Sequence, residues 1–384
     1  MDFELSDEQR LLKDSVDRLI IPAYTDLALR RRVQQEGHGY SADLWTKYAE
    51  LGLLGLPFSE DDGGFGGGPV ETMIVMDAIG RGLALEPYFA NVILAGTLIR
   101  LATAAAQKPE LIGKLADGSH RFAFAHTERQ ARYDLNDVAT MARRTASGFV
   151  LEGDKGPVLH GDSADTLIVS ARTAGGHRDQ HGITLFLVDA GTQGVSRRGF
   201  ATQDGQRGAA ISFSGVELPE SAVLGVADEA AALIQKVSDI AIAALAAEAV
   251  GAMAALHDLT LEYLKTRKQF GVPIGNFQVL QHRAVDMFTA LEQARSMAYY
   301  AAMMAEAEDA RARRAALSAV KIQINTSARA IGQEAVQMHG GIGMTMEYRA
   351  GHYFKRLTMI ESLFGDTAHH MRLLDQAGGL LEAA

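Results

Sequence analysis

No cysteine occurs among the 384 residues, which excludes disulfides, thiolate nucleophiles and cysteine-ligated zinc, and fits a reducing, cytoplasmic setting. Redox chemistry in such a chain needs a borrowed cofactor. Basic residues are in deficit: 37 Lys and Arg stand against 47 Asp and Glu, a formal net charge of -10. That balance argues against nucleic acid or an anionic bilayer as the main partner, since both attract basic surfaces. The N-terminus, Met1-Asp2-Phe3-Glu4, is acidic where a secretory signal is basic, and no basic-then-apolar stretch follows. The most apolar run, residues 240–256, is interrupted by Glu248, so no unbroken stretch of ~20 apolar residues is expected to span a membrane. Internal repeats and low-complexity linkers are also missing.

What is present is an alternation of periodicities. Ser6-Asp7-Glu8-Gln9 has the form of a capping box, and Leu12, Val16, Leu19 and Ile20 then share one helical face until Pro22. Apolar helical faces recur over residues 44–54 and 72–85. Between them, Gly63-Gly64-Phe65-Gly66-Gly67-Gly68 lacks the Lys-Ser/Thr pair of a phosphate loop and is expected to be a flexible connection between helices. From about residue 121 the pattern changes to short β-branched runs: Phe149-Val150-Leu151, Leu167-Ile168-Val169, Ile183 through Val188, and Ile211-Ser212-Phe213. After Asp228 the helical period returns in three long stretches, 230–266, 278–306 and 311–339, which are expected to bundle antiparallel. The expected organisation is a helical domain over 1–120, a β domain over 121–227 and a helical bundle over 228–384.

Three segments, in order along the chain, resemble the acyl-CoA dehydrogenase family. They are Trp45 through Leu56 followed by Gly63-Gly64, then Leu264 through Gly275 with Phe277-Gln278 (Arg-x-x-Phe-Gly), and Gln337 through Thr345 (Gln-x-x-Gly-Gly-x-Gly). The resemblance implies an N-terminal helical domain, a β barrel and a C-terminal four-helix bundle holding FAD across a subunit interface. It also implies an acyl-CoA substrate, an electron-transferring flavoprotein as acceptor, and association with identical or related subunits. By the same resemblance Arg267 gives charge-assisted donors to the FAD pyrophosphate, Gly340 and Gly341 admit backbone amides close to it, and Phe270, Gln278 and Gln337 complete that part of the site. Phe124 through Glu128 matches the family's aromatic-x-x-Thr-Glu strand, whose threonine, here Thr127, bonds the pyrimidine side of the flavin. The family's continuation Pro-x-x-Gly-Ser-Asp is replaced by Arg129 through Asp134, and its Lys-x-Trp-Ile-Thr by Lys155-Gly156-Pro157-Val158-Leu159, so an aromatic and a hydroxyl facing the flavin are lost.

The family's reaction removes an α proton with a glutamate while the β hydrogen leaves as hydride to the flavin. Aligning its Tyr-Glu-Gly-Thr on Leu363 through Thr367 puts Gly365 in the place of the base, and the other location used in the family, on the first long bundle helix, holds Ala241. Asp366 is the candidate substitute and also a natural helix N-cap. Glu248 lies two turns beyond Ala241 and is a more distant candidate. Asp239 is assigned a CoA-facing or surface role. Thr367 and His369 stand where the family's Thr-x-Gln touches a flavin phosphate. His126, His160, His282, His339 and His370 are read as structural, and Tyr299-Tyr300 and Met303-Met304 as core or interface. The pattern resembles the small, base-lacking subunit of heteromeric pimeloyl-CoA or steroid-catabolism dehydrogenases. A self-sufficient enzyme using Asp366, or a flavin- and CoA-binding scaffold without dehydrogenase chemistry, are the alternatives.

Overall fold

The computed structural model describes residues 4–102 and 107–378. The helices before the sheet are α1 (Asp7–Ile20), α2 (Leu27–Gln35), α3 (Ala42–Glu50), α4 (Pro69–Gly82), α5 (Thr97–Ala102) and α6 (Lys108–Ala116). Eight strands follow: β1 (Phe122–Ala125), β2 (Met141–Arg144), β3 (Gly148–Leu159), β4 (Thr166–Arg172), β5 (Ile183–Asp189), β6 (Val195–Ala201), β7 (Arg207–Pro219) and β8 (Val223–Leu224). Then come α7 (Ala230–Thr266), a small hairpin β9 (Lys268–Gln269) and β10 (Val272–Pro273), α8 (Gln278–Met304), α9 (Ala310–His339), α10 (Arg349–Ser362) and α11 (Thr367–Gln376). By contacts the described chain forms two compact units. One holds residues 1–32, 69–84 and 242–384; the other holds 33–68 and 85–241.

The sheet of the second unit runs β6-β7-β3-β2-β4-β5-β8, with β1 added parallel to β4. Apart from β1–β4 and a single parallel β2–β4 bridge, its pairings are antiparallel. Strands three places apart in a flat sheet lie about 14 Å from one another at 4.7–4.9 Å per step. The rings of Phe149 on β3 and Phe186 on β5, three places apart, nevertheless meet at 5.0 Å. The sheet therefore curls around one core, in which Leu151, Val169, Val188, Ile211 and Phe213 join these two rings. Full burial of each such side chain contributes about 1.5–3 kcal/mol. β6 and β8 stand at the ends of the path and do not pair with each other.

The glycine run 63–68 is tied back to residues 56–59 by backbone hydrogen bonds. The amides of Gly64, Gly66 and Gly67 donate to the carbonyls of Ser59, Phe58 and Leu56 at 2.7–2.9 Å, and a Cβ on Gly64 would stand 2.3 Å from the Phe58 oxygen. Gly64 and Gly67 serve close backbone approach, which a side chain would block, while Gly63 and Gly66 have φ of +85° and +69°.

In the first unit α1 starts with the capping box: the Ser6 Oγ accepts from the Gln9 amide and the Gln9 side chain accepts from the Ser6 amide. Val16 and Ile20 are fully buried. α9 is the central helix, with α8, α10 and α11 packed on it. α4 and α7 cross in backbone contact. A Cβ on Gly80 would sit 2.0 Å from the Glu248 oxygen, and one on Gly251 would sit 2.0 Å from the Asp77 oxygen. α7 is the one described helix long and apolar enough to cross a membrane, yet 89% of that stretch is buried inside the protein, as a core helix is.

Candidate active site

Thr127 lies just after β1, exposed, with its carbonyl accepting from the Gly156 amide at 2.8 Å. The residues on either side of it are held by Lys155, whose Nζ donates to the His126 carbonyl at 3.2 Å, the Glu128 carboxylate at 2.6 Å and the Ser170 hydroxyl at 3.1 Å. Glu128 also accepts from the amides of Ala139 and Thr140 and from Gln130. Burial alone would raise the Glu128 pKa, but the Lys155 charge and these donors outweigh it and hold the carboxyl at about 2. Burial pulls Lys155 down to about 8 in spite of Glu128, and pulls His126 down to about 3, with Lys155 adding to that shift. The segment that lost the tryptophan and threonine thus still fixes the backbone of Thr127. Sequence reading missed this clamp because Glu128 and Lys155 are 27 positions apart and meet only through the curl of the sheet.

A second group gathers where α7 and α9 end. The rings of Tyr263, His339 and Tyr348 pack together, Tyr263 to His339 at 4.6 Å and His339 to Tyr348 at 5.0 Å, and bring the two C-termini side by side. Arg267 follows α7 and opens the β9–β10 hairpin, and its carbonyl accepts from the Ile274 amide at 2.8 Å. Phe270 at the hairpin tip is 90% exposed with φ +55°, and Gln278 starts α8. At the end of α9, Gln337 and Gly340 to Gly341 are exposed. Gly340 has φ +63°, and added Cβ atoms on either glycine would meet nothing within 4 Å. Among the described residues the Arg267 guanidinium has no protein partner. An unpaired cation and an open, side-chain-free stretch of backbone, at helix ends joined through Tyr263 and His339, fit a pyrophosphate, and so fit FAD.

The turn between α10 and α11 holds the place of the base. Phe364 and Gly365 have φ of +56° and +115°. His370 pins the turn: Nε2 contacts the Phe364 carbonyl at 2.9 Å and Nδ1 contacts the Ser318 hydroxyl of α9 at 3.1 Å. A Cβ on Gly365 would stand 2.5 Å from His370 Nε2 and 2.7 Å from the His369 ring. The volume a glutamate needs is occupied by an imidazole tied at both nitrogens. Burial holds His370 at about 3, against the favourable Phe364 bond. Lys321, buried on α9, donates to the carbonyls of Ile360 at 2.5 Å and Glu361 at 3.4 Å, and burial lowers its pKa to about 7. Asp366 is the N-cap of α11, its Oδ1 accepting from the His369 amide at 2.8 Å.

The remaining acidic candidates are committed elsewhere. Glu248 is 2% exposed and takes both arms of Arg356, at 2.6 and 2.8 Å. Asp239, expected to face CoA or solvent, is 1% exposed and accepts from Gln235 at 2.9 Å, on a stretch of α7 whose neighbours Val237, Ser238 and Ala241 are also buried. Ala241 is fully buried and brings no carboxylate.

Thr367 and His369 do not join Arg267. The α10–α11 turn sits at the level of Ser318 and Lys321 on α9, while Gln337 and Gly340 lie at that helix's C-terminal end. At 1.5 Å per residue, Lys321 and Gln337 are roughly 24 Å apart along the axis. At that separation one pyrophosphate cannot touch both groups of one chain.

Three family models match this chain in order: acyl-CoA dehydrogenase N-terminal domain over residues 6–119, middle domain over 123–217 and C-terminal domain over 233–378. The chain belongs to the acyl-CoA dehydrogenase family, with its N-terminal helices, central sheet and C-terminal helical bundle, and FAD is the cofactor of that family. It is 32% identical over 328 residues to the mitochondrial isovaleryl-CoA dehydrogenase of Solanum tuberosum, covering 83% of this chain and 78% of the relative. Among solved structures it is similar to the FAD complex of PigA, with a TM-score of 0.89, 27% identity and coverage of 99% and 100% of the two chains. It is also similar to a variant of the steroid dehydrogenase Tcur3481-Tcur3483, with a TM-score of 0.85, 26% identity and coverage of 98% and 99%.

Proposed function

We propose that this chain is the base-lacking subunit of a heteromeric FAD-dependent acyl-CoA dehydrogenase that desaturates a bulky or dicarboxylic acyl-CoA thioester in the cytoplasm. The observation that carries this reading is Gly365: the place of the glutamate is filled by a doubly bonded His370, and the nearest carboxylate, Asp366, is engaged as a helix cap. The steroid dehydrogenase Tcur3481-Tcur3483, named as a pair, supports a two-chain enzyme and a bulky acyl group.

In this reading bound FAD accepts the β hydrogen as hydride. The α proton goes to a carboxylate carried by a related subunit. The part of this chain is to bind and orient. Arg267, with Gln278, Gln337, Phe270 and the open backbone of Gly340 and Gly341, would hold the pyrophosphate of a cofactor shared with that subunit. Thr367 and His369 would touch a phosphate of a separate cofactor, and Thr127 would bond the pyrimidine side of a flavin. An electron-transferring flavoprotein would be the electron acceptor of the assembly.

The test is FAD content and anaerobic flavin bleaching by a panel of acyl-CoA esters, for this chain alone and co-expressed with a family member encoded beside it. Bleaching only in the mixture is expected. Bleaching by the chain alone, abolished by Asp366→Asn, would overturn the proposal and make Asp366 the base.

A further inference from the structure

The rings that meet where α7 and α9 end form a closed triangle, since Tyr263 and Tyr348 also stand 6.1 Å apart. His339 is its buried member, 3% exposed, and the two tyrosines are half-buried over it. Each ring belongs to a different piece of backbone. Tyr263 lies one turn before Arg267, whose amide donates to the Tyr263 carbonyl at 2.9 Å. His339 ends α9 and precedes Gly340, and Tyr348 is the N-cap of α10. The turn that follows α9 closes back on the same residue: a Cβ on Gly343 would stand 3.0 Å from the His339 Cβ and 3.1 Å from the Val336 oxygen.

The imidazole acts here by shape and not by charge. Burial lowers its pKa, outweighing the Ala335 and Leu259 backbone groups that favour a proton, so the ring is neutral at neutral pH. Nδ1 contacts the Ala335 carbonyl of its own helix at 2.7 Å. Nε2 is buried without a partner at hydrogen-bonding distance among the described residues. A neutral ring turned inward cannot hold an anion, and Arg267 remains the cation of this group. What His339 supplies is a rigid aromatic surface on which the α7 end, the α9 end and the start of α10 all rest.

We propose that His339 is a positioning residue of the cofactor site: its ring, packed between Tyr263 and Tyr348, sets the end of α7 that leads to Arg267 against the end of α9 that leads to Gly340 and Gly341. A pyrophosphate needs the cation and the backbone amides in place together, and such constellations have to be held within about 0.5 Å by residues that are themselves locked by packing. The inference rests on the reading of Arg267, Gly340 and Gly341 as a pyrophosphate site, and not on the missing base.

A double-mutant cycle on FAD affinity tests it, in the assembly that retains FAD, stripped of cofactor and titrated with flavin fluorescence as the readout. His339→Ala is expected to weaken FAD about tenfold or more, and to cost about threefold or less when Arg267→Ala is already present, because one residue acts through the other. His339→Phe keeps a ring between the two tyrosines and is expected to bind FAD as the unchanged protein does. His339→Asn keeps a donor for Ala335 but no ring, and is expected to behave as His339→Ala. Circular dichroism and a thermal melt check each variant; if His339→Ala does not fold, Tyr348→Leu, at the half-buried edge of the triangle, replaces it with the same expected loss. Affinity unchanged by a folded His339→Ala, its full loss repeated on top of Arg267→Ala, or rescue by His339→Asn but not by His339→Phe each overturns the proposal, while a loss in Arg267→Ala keeps the pyrophosphate reading. FAD affinity unchanged by Arg267→Ala overturns that reading and this inference with it.

Discussion

His370 decides much of the site's chemistry because it is the imidazole on which the α10–α11 turn hangs. Burial places its folded pKa at about 3, below the ordinary histidine value of about 6.5. The unfolded chain therefore takes up the proton first, and stability is lost as pH falls below about 6.5, the loss ending near 3. His370→Gln is expected to remove one proton from that dependence, making the slope between about pH 5 and 6.5 shallower by up to ~1.4 kcal/mol per pH unit, read by urea unfolding at several pH values. The same ring blocks repair of the base. Gly365→Glu in this chain alone is expected to lower Tm and to give no substrate-dependent bleaching, since its Cβ meets His370 at 2.5 Å and its backbone has φ +115°. A thermal melt and an anaerobic acyl-CoA titration check both parts. The Leu-Phe-Gly-Asp motif revealed the missing glutamate; that an imidazole stands in its volume could not be read there, because Ser318, which holds the ring, is 52 positions away.

At the scale of elements, helix positions and caps were legible where the signal is local. Ser6 and Gln9 form the box their spacing announces, and Asp366 caps α11 as an aspartate before a helix does. The buried Glu248–Arg356 pair was not legible, since its partners lie 108 positions apart on α7 and α10. Arg356→Met leaves a buried carboxylate unpaired and is expected to cost about 3–5 kcal/mol in urea unfolding, with most of the loss recovered when Glu248→Met is added. Such a recovery marks Glu248 as structural and removes it as a catalytic acid.

For the whole molecule, the roughly 24 Å between Lys321 and Gln337 along α9 keeps Thr367 and Arg267 from sharing one pyrophosphate, and on the proposed function cofactor binding therefore belongs to an assembly. Arg267 is exposed and without a protein partner among the described residues, so Arg267→Ala is expected to leave the melt of the isolated chain unchanged. In the assembly with its related subunit the same change is expected to lower bound FAD, measured from flavin absorbance per protein, while Thr127→Ala has little effect. Equal losses from both variants would instead indicate identical half-sites in a homo-oligomer.

The sequence by itself determined the family motifs, the order of helical and β segments, the need for a borrowed redox cofactor and the vacancy at Gly365, because each is written in residue identity or in short-range periodicity. Only the tertiary structure decided which distant residues meet: Lys155 with Glu128 behind Thr127, His370 with Ser318 in the place of the base, and Tyr263 with His339 where α7 and α9 end. Those contacts follow from the curl of a sheet and the length of a rigid helix, and neither is set by spacing along the chain.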